Sequence, residues 1–236
     1  MSQSLAPERA LETATPLAVE LAALEHRFVL DARRVVIGGH TWLIDRPRSS
    51  DDLINAVDFE RDERLPYWAD LWPSAIVLAT EVSALHGAGL RALELGCGLG
   101  LPATAAAHAG FDVTATDYYE DALRFARRNT VRNLGRDIAT RLVDWSALPS
   151  DLGRFDLVLA SDVLYERRYA PLVARAVVRS LADNGMALIA DPGRAALNSF
   201  RDECVALGAR VGTRREVLHE DGTAKLTITI YEVRLG

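Results

Sequence analysis

The glycines of the stretch LELGCGLG, residues 93–100, mark the part of this chain best suited to contact a ligand. Gly96, Gly98 and Gly100 alternate with larger residues, and because glycine has no Cβ, a ligand can approach the backbone closely there. Glu94 precedes the first glycine by two residues, and Asp117 ends the next predicted strand. An acid at that strand end can accept hydrogen bonds from both hydroxyls of a ribose. The spacing therefore predicts a site for a nucleoside-bearing ligand.

The glycine spacing also separates two classes of ligand. In the dinucleotide fingerprint the glycines stand as G-x-G-x-x-G, and a helix N-terminus faces a pyrophosphate. Here the spacing is G-x-G-x-G. The Glu94 carboxylate would repel a pyrophosphate and would suit a cationic ligand. A nicotinamide-dependent oxidoreductase is thus disfavoured, and it stays an alternative together with a tight turn that binds nothing.

The segments around the glycines predict an α/β fold. Strands alternate with helices, the strand at 155–160 is apolar enough to be buried on both faces, and the chain ends in an antiparallel hairpin. The predicted strands are 91–95, 112–116, 139–143, 155–160, 186–190, 210–218 and 225–235; the predicted helices begin at Pro73 and cover 102–109, 120–133 and 170–183. Seven strands closed by a hairpin differ from the six parallel strands usual in dehydrogenases.

The residues before this pattern predict a separate extension. Leu17, Leu21 and Leu24 have the spacing of one helix face, which indicates a helix over residues 1 to about 25. Two β-rich runs, 34–37 and 40–44, surround a Gly-Gly pair and predict a hairpin. The polar residues 46–63 are predicted to form a linker or a substrate lid. We therefore divide the chain into an N-terminal extension at 1–64 and a main domain at 65–236.

The composition limits the class of partner. The 236 residues carry a net charge of -6 and a pI near 5.4, so nucleic acid is disfavoured without a basic patch. Cys97 and Cys204 lie far apart and form no Cys/His cluster, which favours reduced thiols in the cytoplasm and no metal site. The sequence has no apolar run of about eighteen residues and does not begin like a signal peptide. We expect a cytoplasmic monomer with no membrane or nucleic-acid partner.

A family resemblance follows from these motifs. Residues 93–100 and Thr116-Asp117 resemble the first two motifs of the seven-β-strand S-adenosylmethionine-dependent methyltransferases. More narrowly, residues 66–194 resemble methyltransferase family 16, which contains many protein-lysine methyltransferases, through PYWADLWP at 66–73, VDW at 143–145 and SDVLY at 161–165. DPGR at 191–194 is most like the branch that methylates the electron transfer flavoprotein β subunit. The resemblance implies a Rossmann-like methyltransferase sheet, S-adenosyl-L-methionine as cofactor and a lysine amine of a protein as acceptor.

The resemblance also implies which residues bind the cofactor. Asp117 would hold the ribose, Asp144 would receive the adenine amine, and Trp145 would flank the adenine ring. The full implied set is Trp72, Glu94, Gly96, Cys97, Gly98, Asp117, Tyr118, Asp144, Trp145 and Ser161. Ordinary core packing is the alternative for Trp72 and Trp145.

Three further residues are implied at the acceptor side. Asp162 would orient the incoming amine, and Tyr165 would form part of the channel wall; capping of a loop or helix is the alternative for Asp162. Arg194 would help recognise the substrate, whereas residue chemistry alone favours a Pro-Gly turn with a solvated arginine. Enzymes that methylate amino groups of nucleic-acid bases typically carry an Asn/Asp-Pro-Pro-aromatic tetrad at this position, and its prolines help shape a pocket for a flipped base. This sequence lacks those prolines, which disfavours a nucleic-acid substrate. A small-molecule N-methyltransferase of the same fold remains the second hypothesis.

Overall fold

The computed structural model describes residues 16–49, 66–222 and 224–236. Its N-terminal part contains helix α1 (Pro16–Arg27) and the antiparallel strands β1 (Leu30–Ile37) and β2 (His40–Pro47). Gly38 and Gly39 connect the two strands with positive φ values of 56° and 82°, as a tight hairpin turn requires. The predicted hairpin is thus present. Residues 1–15 of the predicted N-terminal helix and most of the 46–63 connection lie outside the described residues.

A mixed sheet of seven strands forms the centre of the molecule. The strands are β3 (Arg91–Leu95), β4 (Asp112–Asp117), β5 (Ala139–Leu142), β6 (Phe155–Ser161), β7 (Leu181–Asp191), β8 (Ala209–Asp221) and β9 (Ala224–Leu235). They lie in the order β5-β4-β3-β6-β7-β9-β8. The first five are parallel, whereas β9 inserts antiparallel between β7 and β8. The Rossmann-like sheet with a C-terminal antiparallel hairpin is therefore confirmed.

Five helices cover the two faces of the sheet: α2 (Pro73–Ser83), α3 (Leu101–His108), α4 (Glu120–Leu134), α5 (Ala170–Ser180) and α6 (Leu197–Ala206). Pro73 stands in the first turn of α2, where its missing N–H leaves no bond unmade. The apolar side chains divide into two clusters, one on each side of the sheet. Ile37, Trp42 and Ile44 of the hairpin belong to the same cluster as α2, α3 and α4, so the extension shares a core with the sheet.

Two elements differ from the sequence prediction. The helix predicted over 170–183 ends at Ser180, because Leu181 is fully buried and already pairs with Phe155 at the start of β7. A register shift follows before Met186 pairs with Leu157. Helix α6 was not predicted; it buries only Phe200 and Cys204, and the charged residues between them hide the helical period.

A buried acid attaches the hairpin to α4. Asp45 is only 2% exposed, and its carboxylate contacts the guanidinium groups of Arg128 (2.7 Å) and Arg132. The Asn129 side chain accepts a hydrogen bond from the Asp45 N–H (2.8 Å) and donates to the carbonyls of Asp45 (3.0 Å) and Leu99 (2.9 Å). Because Leu99 lies between two of the motif glycines, this network connects the hairpin to the glycine turn.

Candidate active site

The glycine turn adopts a conformation that other residues rarely reach. Gly96, Gly98 and Gly100 have φ values of 68°, 50° and 75°. The Cys97 N–H donates to the Thr116 carbonyl (2.9 Å), which holds the turn against the end of β4. A Cβ on Gly96 would lie 3.1 Å from the Trp145 ring and 3.2 Å from Val163. Any side chain at position 96 would therefore crowd Trp145 and Val163 in the cavity wall.

Gly100 packs directly against α4, and this yields a prediction. A Cβ there would lie 2.5 Å from the Cβ and 2.6 Å from the Cα of Ala126 in α4. Gly100→Ala should lower the free energy of unfolding by about 3 kcal/mol, from overpacking added to left-handed strain. Gly135→Ala is the matched control, because Gly135 has a φ of 68° with nothing within 4 Å of its added Cβ. We expect a loss of about 1 kcal/mol there. Equal losses in urea denaturation would contradict the packing argument.

A cavity of about 480 Å³ opens at the carboxyl ends of β3, β4, β5 and β6. This is the edge at which doubly wound sheets bind ligands, and the volume is typical of a small-molecule site. The cavity brings together twelve of the thirteen predicted site residues: Trp72, Gly96, Cys97, Gly98, Asp117, Tyr118, Asp144, Trp145, Ser161, Asp162, Tyr165 and Arg194. Glu94 does not line it.

Asp117 is anchored by the backbone at the end of β4. Its Oδ2 accepts from the Gly98 N–H (2.9 Å) and its Oδ1 from the Tyr119 N–H (3.0 Å). Burial raises the pKa of the Asp117 carboxyl, and the backbone hydrogen bonds oppose that rise. Each carboxylate oxygen has a second lone pair, so Asp117 can still accept hydrogen bonds from a ligand in the cavity.

The residues after β5 form the next part of the wall. Asp144 caps a short 3₁₀ helix, Trp145–Ala147, because its Oδ1 accepts from the N–H (2.8 Å) and the hydroxyl (2.7 Å) of Ser146. The Trp145 ring meets the Tyr169 ring edge to face at 5.9 Å. Trp145 is partly buried and borders the cavity, so it has one packed side and one free side.

The structure places Glu94 behind the glycine turn and outside the cavity lining. The side chain is fully buried, and its Oε2 accepts from the Ala103 N–H (2.8 Å) in the first turn of α3. Its neighbours Leu93 and Leu95 point to the opposite face of the sheet, as strand alternation requires. Oε1 is buried without a partner among the described residues. Burial raises the pKa of the Glu94 carboxyl well above its usual range.

This burial predicts a pH dependence of stability. A carboxyl whose pKa is raised by folding binds more protons in the folded than in the unfolded state. Its contribution to the free energy of unfolding is therefore lost as the pH rises from about 4.5 towards the raised value. Glu94→Gln removes that titration and keeps an acceptor for Ala103. The difference in unfolding free energy, wild type minus variant, should fall by about 1–3 kcal/mol between pH 5 and 7.5. Thermal unfolding at both pH values measures it, with exposed Glu216→Gln as control. A constant difference would contradict the prediction.

Asp162 stands in a strained position at the end of β6. Its φ is 55°, the only positive value of a non-glycine residue among those described, and its N–H donates to the Ala190 carbonyl (3.0 Å). The residue is 8% exposed, and its Oδ1 accepts from the Arg194 guanidinium, at 3.1 Å from Nε and 2.7 Å from Nη2. Strain of this kind persists where the surroundings enforce it and is concentrated at functional sites.

Aromatic rings line the same cavity as this acid. Tyr165 packs against Tyr67 (5.3 Å) and Tyr169 (5.2 Å), and Tyr67 packs against Trp72 (6.0 Å between ring centroids). Burial raises the pKa of the Tyr165 hydroxyl, which therefore stays protonated. Tyr67 and Tyr169 were not predicted as site residues. Tyr67 lies in the PYWADLWP motif and could have been found, whereas no motif marks Tyr169.

Acidic side chains outnumber basic ones in the cavity lining. Five carboxylates line it against one guanidinium, that of Arg194; the acids are Asp70, Asp117, Asp144, Asp162 and Glu166. Asp70 and Glu166 form ion pairs with Arg46 (3.1 Å) and Arg168 (2.6 Å) outside the cavity lining. The combination of acids and aromatic rings suits cationic ligands.

The seven-stranded mixed sheet, with a glycine turn at its switch point and a cavity beyond it, defines an α/β protein of the methyltransferase type. Comparison with known families agrees. A family model described as a methyltransferase domain matches residues 86–227, and the chain belongs to that family. The predicted resemblance to methyltransferases is thereby confirmed, and the oxidoreductase alternative finds no support.

Curated relatives match at modest identity. Protein N-lysine methyltransferase METTL21A of Mus musculus is 37% identical over 105 residues, which cover 41% of this chain and 48% of that protein. Electron transfer flavoprotein beta subunit lysine methyltransferase of Xenopus laevis is 32% identical over 141 residues, which cover 57% of this chain and 55% of that protein. The chain spans about half the length of the curated relatives it matches.

Solved structures share the fold. Magnesium protoporphyrin IX methyltransferase from Synechocystis PCC 6803, solved with bound SAM, aligns with a TM-score of 0.54 at 19% identity, covering 78% of this chain and 94% of that one. None of the helices in the described parts of the chain is long and apolar enough to cross a membrane.

Proposed function

We propose that this protein transfers a methyl group from S-adenosylmethionine to the side-chain amine of a lysine in another protein. The observation that carries the proposal is the buried, strained Asp162 at the end of β6, inside an acidic cavity walled by aromatic rings. The family match supports methyl transfer, and the two lysine methyltransferase relatives support the acceptor.

The residues present fit this cofactor. The backbone of Gly96 and Gly98 lines the cavity without side chains and would approach its amino-acid part. Asp117 would accept hydrogen bonds from the ribose, and Asp144 and Trp145 would hold the adenine. Cys97, Tyr118, Ser161 and Trp72 would complete the contacts, since all of them line the same cavity. Glu94 would act indirectly, by holding the first turn of α3 behind the glycines.

The acceptor must arrive with a free lone pair. When bound, S-adenosylmethionine supplies the activated methyl group: the amine lone pair forms the new N–C bond as the C–S bond breaks, and the bonding electrons stay on sulfur. A free lysine amine has a pKa of about 10.4, and transfer into a poorly hydrated channel favours its neutral form. Asp162 would accept the N–H bonds of that amine and orient its lone pair. Tyr165 would form the wall, and its protonated hydroxyl adds no charge.

The second hypothesis is a small-molecule amine as acceptor. Ubiquinone biosynthesis O-methyltransferase of Methylocella silvestris is 41% identical over 76 residues, which cover 32% of this chain, and so methyltransferases of small molecules also lie among the relatives. We favour a lysine side chain, because the protein lysine methyltransferase relatives match over longer stretches, 105 and 141 residues.

We also place the protein in the cytoplasm as a monomer. The two cysteines support a reducing compartment, since Cys97 and Cys204 are both free and buried. The monomer is a prediction that sedimentation can test.

The experiment that tests the function is incorporation of a labelled methyl group. The protein is incubated with labelled S-adenosylmethionine and a cell extract, and labelled peptides are identified by mass spectrometry. We expect label on lysine amines of one or a few proteins, and none with Asp162→Ala. Label confined to the small-molecule fraction would overturn the choice of acceptor.

A further inference from the structure

The ion pair between Asp162 and Arg194 lies within the proposed site itself. The Asp162 side chain is 6% exposed and that of Arg194 is 32% exposed, so the pair lies at the cavity wall with its acid on the inner side. Both guanidinium hydrogen bonds end on Oδ1. Arg194 therefore leaves the second carboxylate oxygen to other donors, and a carboxylate oxygen accepts more than one hydrogen bond.

This arrangement answers a difficulty in the chemistry. A carboxylate beside an amine stabilises the ammonium form, which has no lone pair and cannot attack a methyl group. In a poorly hydrated site the effect is large, because the attraction between charges grows as the effective dielectric constant falls. A bare Asp162 would orient the acceptor and at the same time keep it protonated.

We propose that Arg194 is a positioning residue that cancels the charge of Asp162, so that this carboxylate accepts hydrogen bonds from the acceptor amine without holding it as an ammonium ion. The proposal rests on the proposed function and deepens it. Arg194 acts through Asp162 and needs no contact with the acceptor.

The loop after β7 holds Arg194 in this place. Asp191 Oδ1 accepts from the N–H groups of Gly193 (2.8 Å) and Arg194 (2.7 Å), which closes a tight turn. Gly193 has a φ of 87°, which glycine adopts without strain. The guanidinium carbon of Arg194 lies 5.8 Å from the centre of the Trp72 ring. The cation is thus positioned from three sides before any ligand binds.

Other titratable groups face the same space. The carboxylates are Asp117 at the end of β4, Asp144 after β5, Glu166 after β6 and Asp70 before α2. Asp191 at the end of β7 does not line the cavity; it is fully buried and close enough to Asp162 to interact with it electrostatically. The phenols of Tyr67, Tyr118, Tyr119, Tyr165 and Tyr169 also face the cavity. Arg194 is the only Arg, Lys or His side chain among the described residues that line the cavity, so it is the one group there that can offset the charge of Asp162.

Sinefungin is a suitable probe, because it resembles S-adenosylmethionine but carries a primary amine in place of the sulfonium methyl. S-adenosylhomocysteine has no charge at that position. The ratio of their dissociation constants, measured on the full chain by calorimetry, reports how strongly the site prefers a cation next to Asp162. Because both compounds are measured on the same variant, effects of folding or of the shared adenosine contacts change both dissociation constants and cancel in the ratio.

We expect Arg194→Gln to raise the preference for sinefungin at pH 7.5 by about tenfold, because one positive charge is lost beside the amine. Arg194→Lys keeps the charge and should stay within about twofold of wild type. Equal ratios in wild type and Arg194→Gln, or equal changes in both variants, would overturn the proposal, since a purely structural role does not distinguish the two substitutions.

The pH dependence gives a second readout that needs no variant. If the charge of Asp162 is cancelled, the bound and free sinefungin amines have similar pKa values, and the wild-type ratio stays constant within about threefold from about pH 7.5 to 10. A tenfold fall in the wild-type preference for sinefungin over this pH range would overturn the proposal even if no variant folds. Neither compound is a methyl acceptor, so the ratios test the role of Arg194 alone. If the ratios are as expected but the labelling experiment yields no labelled lysine, only the proposed function is overturned.

Discussion

Asp162→Ala is expected to lower the rate of methyl transfer by about 10²–10⁴-fold while the affinity for uncharged S-adenosylhomocysteine changes by less than about threefold. The side chain lies at the carboxyl end of β6 and its carboxylate is held by Arg194 at 2.7 Å. Removing it leaves an amine with no acceptor for its N–H bonds and leaves the guanidinium unpaired in the cavity. Both effects act on the acceptor, whereas the ribose and adenine contacts proposed above remain.

The test needs a control for the backbone, because Asp162 has a φ of 55° and alanine is strained there. Asparagine tolerates this conformation better than alanine, so Asp162→Asn removes the charge with less strain. We expect both variants to bind S-adenosylhomocysteine and both to lose labelling of lysine. Exposed Asp183→Ala should remain fully active. Full activity of Asp162→Ala would refute the role assigned to this acid.

Asp45→Ala is expected to lower the free energy of unfolding by about 2–4 kcal/mol, which corresponds to a fall in Tm of about 5–15 °C. Asp45 is 2% exposed and neutralises Arg128 and Arg132 of α4. Removal of a buried partner leaves these cations uncompensated. The cost is below the maximum for a buried pair, because Arg132 reaches solvent with 37% of its side chain exposed and Arg128 also contacts Glu25 (2.6 Å).

The matched control is Asp31→Ala. Asp31 lies on β1, opposite Arg46 of β2, at 3.7 Å with 53% of its side chain exposed. An exposed pair of this kind contributes less than about 1 kcal/mol. Denaturation followed by circular dichroism measures both variants. If Asp45→Ala loses no more stability than Asp31→Ala, the buried network does not hold the hairpin on α4.

Local sequence patterns predicted the order of most strands and helices, because they depend on periodicity and on turn residues. The apolar run at 155–160, Pro73 at a helix start and the Gly38-Gly39 turn each act on their immediate neighbours. Helix α6 and the early start of β7 escaped prediction, since Phe200 and Leu181 are held by burial against distant residues. Secondary structure that depends on tertiary packing has no local signal.

Motif spacing predicted that the glycine turn and Asp117 meet at one edge of a parallel sheet, because strand ends of βα units converge there, and the family resemblance added Asp162. Which side chains face the ligand depended on packing between distant segments. Glu94 points away from the ligand side and accepts a hydrogen bond from α3. Long-range packing also brings Tyr67 and Tyr169 against Tyr165. It also joined Arg194 to Asp162 across 32 positions of the chain. Charge compensation depends on distances in space, and spacing along the chain does not contain them.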